Sequence, residues 1–370
     1  MRSFRHWRYW PLYERYLARE MLISILLVLL GFLALFGFFD LLYELKSVGK
    51  NQYTFAHAVV YVLLVLPGRI YDLAPIAALI GALLALSTLA RHSEITVLRA
   101  SGVSTLNFLS VLGRLAVVLA VVTLLIGEVV VPFTERIAQQ LRVRALSNVV
   151  GQEFNSGLWM KDGRTFINVR AATPDARLEG LRVYVFDEQS RLSSVTAAKE
   201  GVFVSPNAWL LTSVSRTLLE YTGDTVRSRV EHPEWVRWES ALTPDILSVL
   251  MVAPERMSIH GLVSYWQHLH ANHQKTLRYE IALWKKLFYP LAVLVMFTLA
   301  MPFAYFGTRA GAVSLKLFGG VMLGITFHML NGLFSSLGII NAWSPWASAA
   351  APGAFFLLLS LGMIAWVERR

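Results

Sequence analysis

The chain contains no cysteine in 370 residues, so disulfides, thiolate nucleophiles and thiolate metal sites are all closed to it. Charge is also sparse: 16% of residues are charged and 55% are hydrophobic. No GxxxxGK[ST] stretch occurs, which excludes ATP hydrolysis by the phosphate-loop route. There is no internal repeat and no low-complexity segment. The first apolar run is too long for a cleaved signal and has no small-residue cleavage site, so it reads as a retained anchor. Acidic residues are the minority sign, 24 against 34 Lys and Arg, for a net charge of +10. Such an excess suits nucleic acid, but its placement follows membrane topology, and no nucleic-acid partner is expected.

What the chain does have is long apolar runs, at 17–39, 56–90, 106–131, 281–306, 317–338 and 350–367. A helix rises ~1.5 Å per residue, so ~20 residues cross a ~30 Å hydrocarbon core. The run 56–90 is too long for one upright crossing, and either Pro67 and Pro75 kink it or its first turns project. Between the third and fourth runs, residues 132–276 are too rich in Asp, Asn, Arg and Gly to span lipid, where backbone groups must all be satisfied internally. The pattern predicts an α-helical membrane protein of six transmembrane helices, three plus three, with an inserted β domain. The expected divisions are 1–131, 132–276 and 277–370.

Basic residues set orientation because they are retained on the cytoplasmic side. Arg2, Arg5, Arg8, Arg15 and Arg19 precede or open the first span, and Arg91 and Arg99 follow the second. Arg309 and Lys316 follow the fourth, and Arg369 and Arg370 lie after the sixth. With alternating helices these share one side, so both termini are expected in the cytoplasm and the inserted domain outside it. Lys46 and Lys50, in the first outer loop, break the rule. Trp7, Tyr9, Trp10, Tyr13 and Tyr16 interleave with arginines, as in a helix lying in the headgroup zone.

Within the insert, residues 135–148 have helical spacing and continue the third span outward. Leu158-Trp159-Met160-Lys161, then Asp162-Gly163, then Thr165-Phe166-Ile167-Asn168-Val169 predicts a tight hairpin. Short strands are further expected at 181–186, 201–204, 208–211, 217–221 and 226–230, the spacing of a sandwich or jelly roll. Thr243-Pro244-Asp245 opens a short helical stretch, and 258–279 is an amphipathic lead-in to the fourth span.

The loop 91–102 is the most informative motif. Ser93 is a candidate N-cap, Gly102 suits a left-handed C-terminal cap, and Ile95 and Leu98 share a face beside Glu94 and Arg91. It is a short transverse helix for docking a cytoplasmic partner, or a solvated connector; spacing does not choose. Intramembrane charges cost ~2.5–3.5 kcal/mol each on insertion scales. Asp40, Arg69, Asp72 and Glu128 are such charges. Arg69 and Asp72 are spaced to pair, and Arg69 and Glu128 both lie near outer ends. Structural pairing is the plain reading and a polar gate the sharper one. His268, His270 and His273 do not share one helical face, so interfacial histidines are expected rather than a metal site. No cofactor is expected. Tyr71-Asp72 lacks the second aspartate of an intramembrane protease.

Stretches at 75–84 running into 91–102, at 126–132, at 157–163 (with Leu158-Trp159 and Lys161-Asp162-Gly163) and at 242–245 occur in an order that resembles the LptF/LptG permeases of the bacterial lipopolysaccharide exporter. The resemblance covers essentially the whole chain. It implies a non-enzymatic transmembrane subunit that extracts lipopolysaccharide and passes it to a periplasmic bridge. Its implied partners are an LptF-like permease, an LptB-like ATPase dimer that hydrolyses the ATP, and an LptC-like single-span protein beside the first span. Residues 91–102, with Arg91, Ser93, Glu94, Ile95, Leu98, Arg99 and Gly102, would be the coupling helix, Glu94 being the main polar contact. The insert would be a β-jelly roll, and the first and fifth spans would line lateral gates. Lys46, Lys50 and Arg142, with Arg136 and Arg144 close by, would meet the lipid head. The chain departs from the pattern at Asp40 and Gln139, where some members carry basic residues.

The physics is compatible. At ~0.8 kcal/mol per buried CH₂, a lipid with several acyl chains resists extraction by tens of kcal/mol, so a permease must offer an apolar cavity in exchange. Gly81, Gly320 and Gly324 permit close or mobile packing around one. A second class of function, a sensor or mechanotransmission subunit, predicts a tightly packed bundle instead.

Overall fold

The computed structural model describes residues 12–102, 105–146, 158–172, 177–205, 208–222, 225–240, 252–272, 274–305 and 312–368. Outside them lie Arg2, Arg5, Trp7, Arg8, Tyr9, Trp10, Gly157, residues 242–245, His273, Arg309, Arg369 and Arg370. Among the described residues, six helical stretches are long and apolar enough to cross a membrane. They belong to α1 (Leu12–Leu45), α2 (Phe55–Arg91), α4 (Thr105–Leu125) continued by α5 (Val131–Leu146), α7 (Leu277–Tyr305), α8 (Ala312–Ile340) and α9 (Pro345–Glu368). The short α3 (Glu94–Ala100) follows α2, and α6 (Ile259–Ala271) precedes α7.

α2 is the pillar of the bundle. Ala77, Leu79, Ala82, Leu83 and Leu86 are fully buried, and they meet Met296, Phe297 and Leu299 of α7 and Leu17 and Met21 of α1. Small residues make this approach possible. A Cβ on Gly81 would stand 2.5 Å from the Ile25 Cα, so only glycine lets α1 lie this close. α2 runs unbroken through Pro67 and Pro75. Its 37 residues measure about 55 Å, so it projects beyond the hydrocarbon.

The third span continues well past Pro132. A π turn at Ile126–Val130 joins α4 to α5, with the Val131 N–H donating to the Ile126 carbonyl. Proline lacks an N–H and clashes with the carbonyl four residues back. Widening the turn just ahead of Pro132 places the missing donor at a seam, and the helix goes on to Leu146.

The insert is one seven-stranded antiparallel sheet: β1 (Leu158–Asp162), β2 (Thr165–Ala172), β3 (Arg177–Phe186), β4 (Leu192–Ser205), β5 (Ala208–Thr222), β6 (Thr225–Glu231) and β7 (Trp235–Glu239). The expected hairpin is present, with Asp162 opposite Thr165 and Gly163 at φ +59. β1 to β6 pair in chain order, and β7 returns to β5 beside Trp209 and Leu211. Alternate residues therefore point to one face, where Ile167, Val169, Leu181, Val183, Trp209 and Leu211 are buried. Among the described residues, that cluster draws on the sheet's own residues. The expected inserted antiparallel β domain is present, with β1 to β6 neighbours in chain order and β7 back on β5. The reading of the sequence missed β7 and the first half of β4.

Candidate functional site

The segment returning from the sheet is stapled to the membrane helices by charged groups. In the 3₁₀ turn Pro254–Arg256, the Arg256 Nη1 donates to the Gly68 carbonyl at 3.0 Å, and Nη2 meets the Asp72 carboxylate at 2.5 Å. Two residues later Ser258 caps α6, its hydroxyl accepting the Gly261 N–H. Glu128, on the π turn, accepts the Ile259 N–H through both carboxylate oxygens at 2.9 and 3.1 Å. The same carboxylate pairs with the buried Lys286 of α7 at 3.2 Å, and Lys286 also donates to the Met257 carbonyl. The Tyr289 hydroxyl closes the set by donating to the Asp72 carbonyl at 2.6 Å. α2, the π turn, α7 and the root of α6 thus share one polar node.

This corrects the expected intramembrane pairing. Arg69 binds neither Asp72 nor Glu128 but reaches across to Asp40 on α1, with bonds of 2.9 and 2.6 Å. Asp72 and Glu128 take Arg256 and Lys286 instead. Facing helices offer a guanidinium a two-oxygen docking geometry, which a neighbour three residues along its own helix does not. The reading of the sequence missed both: Arg256 lies outside the apolar runs and 184 residues from its partner, whereas Lys286 is itself a charge inside the run 281–306 and could have been found by the same signal.

At the sheet-side ends, the loop carrying Lys46 and Lys50 is fixed to the end of α5. The Gln52 N–H donates to the Ala145 carbonyl, the Asn51 amide to the Leu146 carbonyl, and Tyr53 packs with Ala145 and Leu146. The Tyr53 hydroxyl donates to the buried Glu44 at 2.8 Å; burial first, then that bond, holds its phenol well above the ordinary value. Glu44 also takes Arg142, at 3.1 Å, and Arg142 lies over the Tyr61 ring. The predicted cationic set therefore splits. Arg142 is committed to an internal pair, whereas Lys46, Lys50, Arg136 and Arg144 are exposed at the same end of the bundle.

At the other end, α3 follows α2 after one turn. Ser93 is left-handed at φ +60, and its carbonyl receives the Val97 N–H. A side-chain cap needs an extended backbone, so the expected Ser93 cap is replaced by this backbone start. Gly102, at φ +92, ends the segment as expected. The apolar face is turned inward: Ile95 is buried in the bundle core and Leu98 packs against it. The surface left open holds Arg91, His92, Thr96 and Val97, and Glu94 is half-buried beside the Tyr16 hydroxyl of α1. Ile95 and Leu98 are thus anchors to the bundle, and Val97 is on the exposed side. Arg99 lies within α3.

Histidines 268 and 270 stack on Tyr265 and Trp266. The end of α6 docks on the sheet, where its C-cap Asn272 accepts the Gly163 N–H at 2.7 Å; beside it, Ser240 after β7 donates to Asp162 of β1 at 2.8 Å. Burial lowers the pKa of His268, against a weaker opposing pull from Asp162.

The membrane helices are unequally covered. Within their apolar windows, 78% of α2 is buried inside the chain but only 6% of α1 and 17% of α8. Leu30, Phe38, Phe39 and Tyr43 of α1, and Phe318 and Met329 of α8, stand exposed.

Residues 15–366 match the family described as the lipopolysaccharide export system permease LptF/LptG. The chain is 32% identical over 356 residues to the lipopolysaccharide export system permease protein LptG of Escherichia coli strain K12, covering 95% of this chain and 97% of that protein. It is 30% identical over 358 residues to the protein of the same name from Haemophilus influenzae, covering 96% and 98%. Six apolar helices, a sheet inserted between the third and fourth, and a match running nearly end to end agree: the chain is a multi-pass inner-membrane protein belonging to the LptF/LptG permease family of the lipopolysaccharide export system.

Proposed function

We propose that this chain is one of two permeases that together shelter the acyl chains of lipopolysaccharide while an ATPase outside the membrane supplies the work. The observation that carries this is the uneven cover of the helices, with α1 and α8 left as apolar walls beside a packed α2–α7 pillar. An LptF-like permease facing those walls completes the cavity, and an LptC-like single span enters beside α1. Both termini and α3 lie in the cytoplasm, where Val97, Thr96 and Glu94 meet an LptB-like ATPase dimer. The sheet lies in the periplasm and receives the lipid. Lys46, Lys50, Arg136 and Arg144 attract the phosphorylated head at the mouth of the cavity.

Motion passes through groups already paired. Glu94 sits beside Tyr16 of α1, so a push on α3 reaches the α1 wall directly. The Asp72–Arg256 and Glu128–Lys286 pairs tie the pillar to the root of the sheet domain. The test is transport and ATPase activity in the reconstituted complex, with photocrosslinking to lipopolysaccharide from positions 46, 50, 136 and 144. Glu94→Ala should lower both transport and its coupling to ATP hydrolysis while the protein still folds. Unchanged transport in that variant, or crosslinks from none of the four positions, would overturn the reading.

A further inference from the structure

A cleft of about 190 Å³ opens between α7, α8 and α9, lined by Lys285, Tyr289 and Asn331 and otherwise by apolar or small residues. Its α9 wall is unusually low, because Ala350, Gly353 and Ala354 fall on one helical face. An apolar cavity of about 150 Å³ already admits benzene, so this one has room for a length of acyl chain.

Lys285 is the singular group. It lies eight residues into α7, about 12 Å along the helix from its sheet-side start. It makes no hydrogen bond and no ion pair with any described residue, and Asp72 and Glu255 act on it only through space. Its neighbour Lys286 solves the same problem with the Glu128 carboxylate and the Met257 carbonyl. The polar groups beside Lys285 are engaged elsewhere: the Tyr289 hydroxyl donates to Asp72, and the Asn331 amide nitrogen donates to Phe327. An ammonium at membrane depth calls for a counter-charge, and the cleft lining contains no carboxylate.

We infer that this cleft seats an anionic glycerophospholipid of the sheet-side leaflet, its phosphate on Lys285 and one acyl chain along the Ala350–Gly353–Ala354 face of α9. A zwitterionic lipid brings an ammonium for which the lining supplies no partner. α8 contributes only Asn331 to the lining, and the inference does not depend on the export reading.

The test is native mass spectrometry of the delipidated protein, held in the complex it forms when expressed, titrated with phosphatidylglycerol or phosphatidylcholine of matched chains. Phosphatidylglycerol should bind roughly fivefold more tightly, the worth of one lysine against an anionic lipid. Lys285→Gln should abolish that preference and Lys285→Arg should keep it. Gly353→Leu, which fills the groove, should weaken both lipids. Equal binding of the two lipids by the wild type, or an unchanged preference in Lys285→Gln, overturns the inference. So does displacement of bound phosphatidylglycerol by lipopolysaccharide, which would assign the cleft to cargo.

Discussion

Glu128 does two jobs with one carboxylate, accepting the first free N–H of α6 and neutralising the buried Lys286. Removing it strands a cation that is 4% exposed. Glu128→Ala should therefore lower stability by roughly 3–5 kcal/mol, the usual result of breaking one side of a buried pair. Adding Lys286→Met should recover most of the loss, because the orphaned charge is gone. Thermal unfolding of the two variants in detergent checks this, and a double variant no better than the single would refute the pairing. His268 gives a pH signature at the same scale. Burial favours its neutral form, so between its lowered native pKa and the ordinary ~6.5 the unfolded chain binds the proton first. Stability is complete above that range and falls as the pH drops through it. The difference in unfolding temperature between pH 8 and pH 5.5 should shrink in His268→Gln. At this scale the sequence revealed which residues are costly but not whom they meet. Asp40, Arg69, Asp72 and Glu128 stood out as charges in or at the ends of apolar runs, whereas their partners lie on other elements, from the next helix for Arg69 and Asp40 to a turn 184 residues away for Asp72.

Among the elements, those with a strong local pattern were legible and those held by tertiary contact were not. Residues Leu158 to Val169 declare a hairpin through alternation and Asp162-Gly163, and the register follows. β7 alternates too, with Val236 and Trp238 turned inward between Trp235, Arg237 and Glu239, but it is only five residues long, and its place is set by the edge that β5 offers. The extension past Pro132 was visible in residues 135–148, but the π turn that allows it has no signature in the letters. α3 is the instructive case. Helix spacing placed Ile95 and Leu98 on one face, and an apolar face on a short connector suits a partner's groove as well as its own bundle. The bundle takes it. Ile95→Ala should cost about 2–5 kcal/mol of stability as a buried aliphatic truncation. Val97→Asp should leave the unfolding temperature unchanged and reduce ATPase coupling, because Val97 is 65% exposed. Equal stability losses in the two variants would show that α3 docks the other way round.

For the whole molecule, the question is what covers α1 and α8. A membrane helix facing only lipid needs no special cover, so exposure alone does not distinguish a gate from an outer wall. The apolar windows of α1 and α8 are the least buried of the six, 6% and 17%, against 28% for α9 and 33% for the third span. The two least covered helices are packed to the same pillar, α2, along tight seams such as Gly81 on Ile25 and Gly324 against Ile76. Small residues at these seams let the backbones approach closely. A cavity shared with a second permease would make their exposed faces a route for cargo, whereas α9 would see bulk lipid only. Photoreactive residues at Phe38 of α1, Met329 of α8 and Leu358 of α9 separate these cases, since all three side chains are more than half exposed. In membranes containing lipopolysaccharide, positions 38 and 329 should give crosslinks to it that diminish when ATP turnover empties the cavity. Position 358 should give crosslinks that ignore ATP. Equal, ATP-insensitive labelling at all three positions would mean that α1 and α8 face ordinary bilayer, and the shared cavity would have to be abandoned.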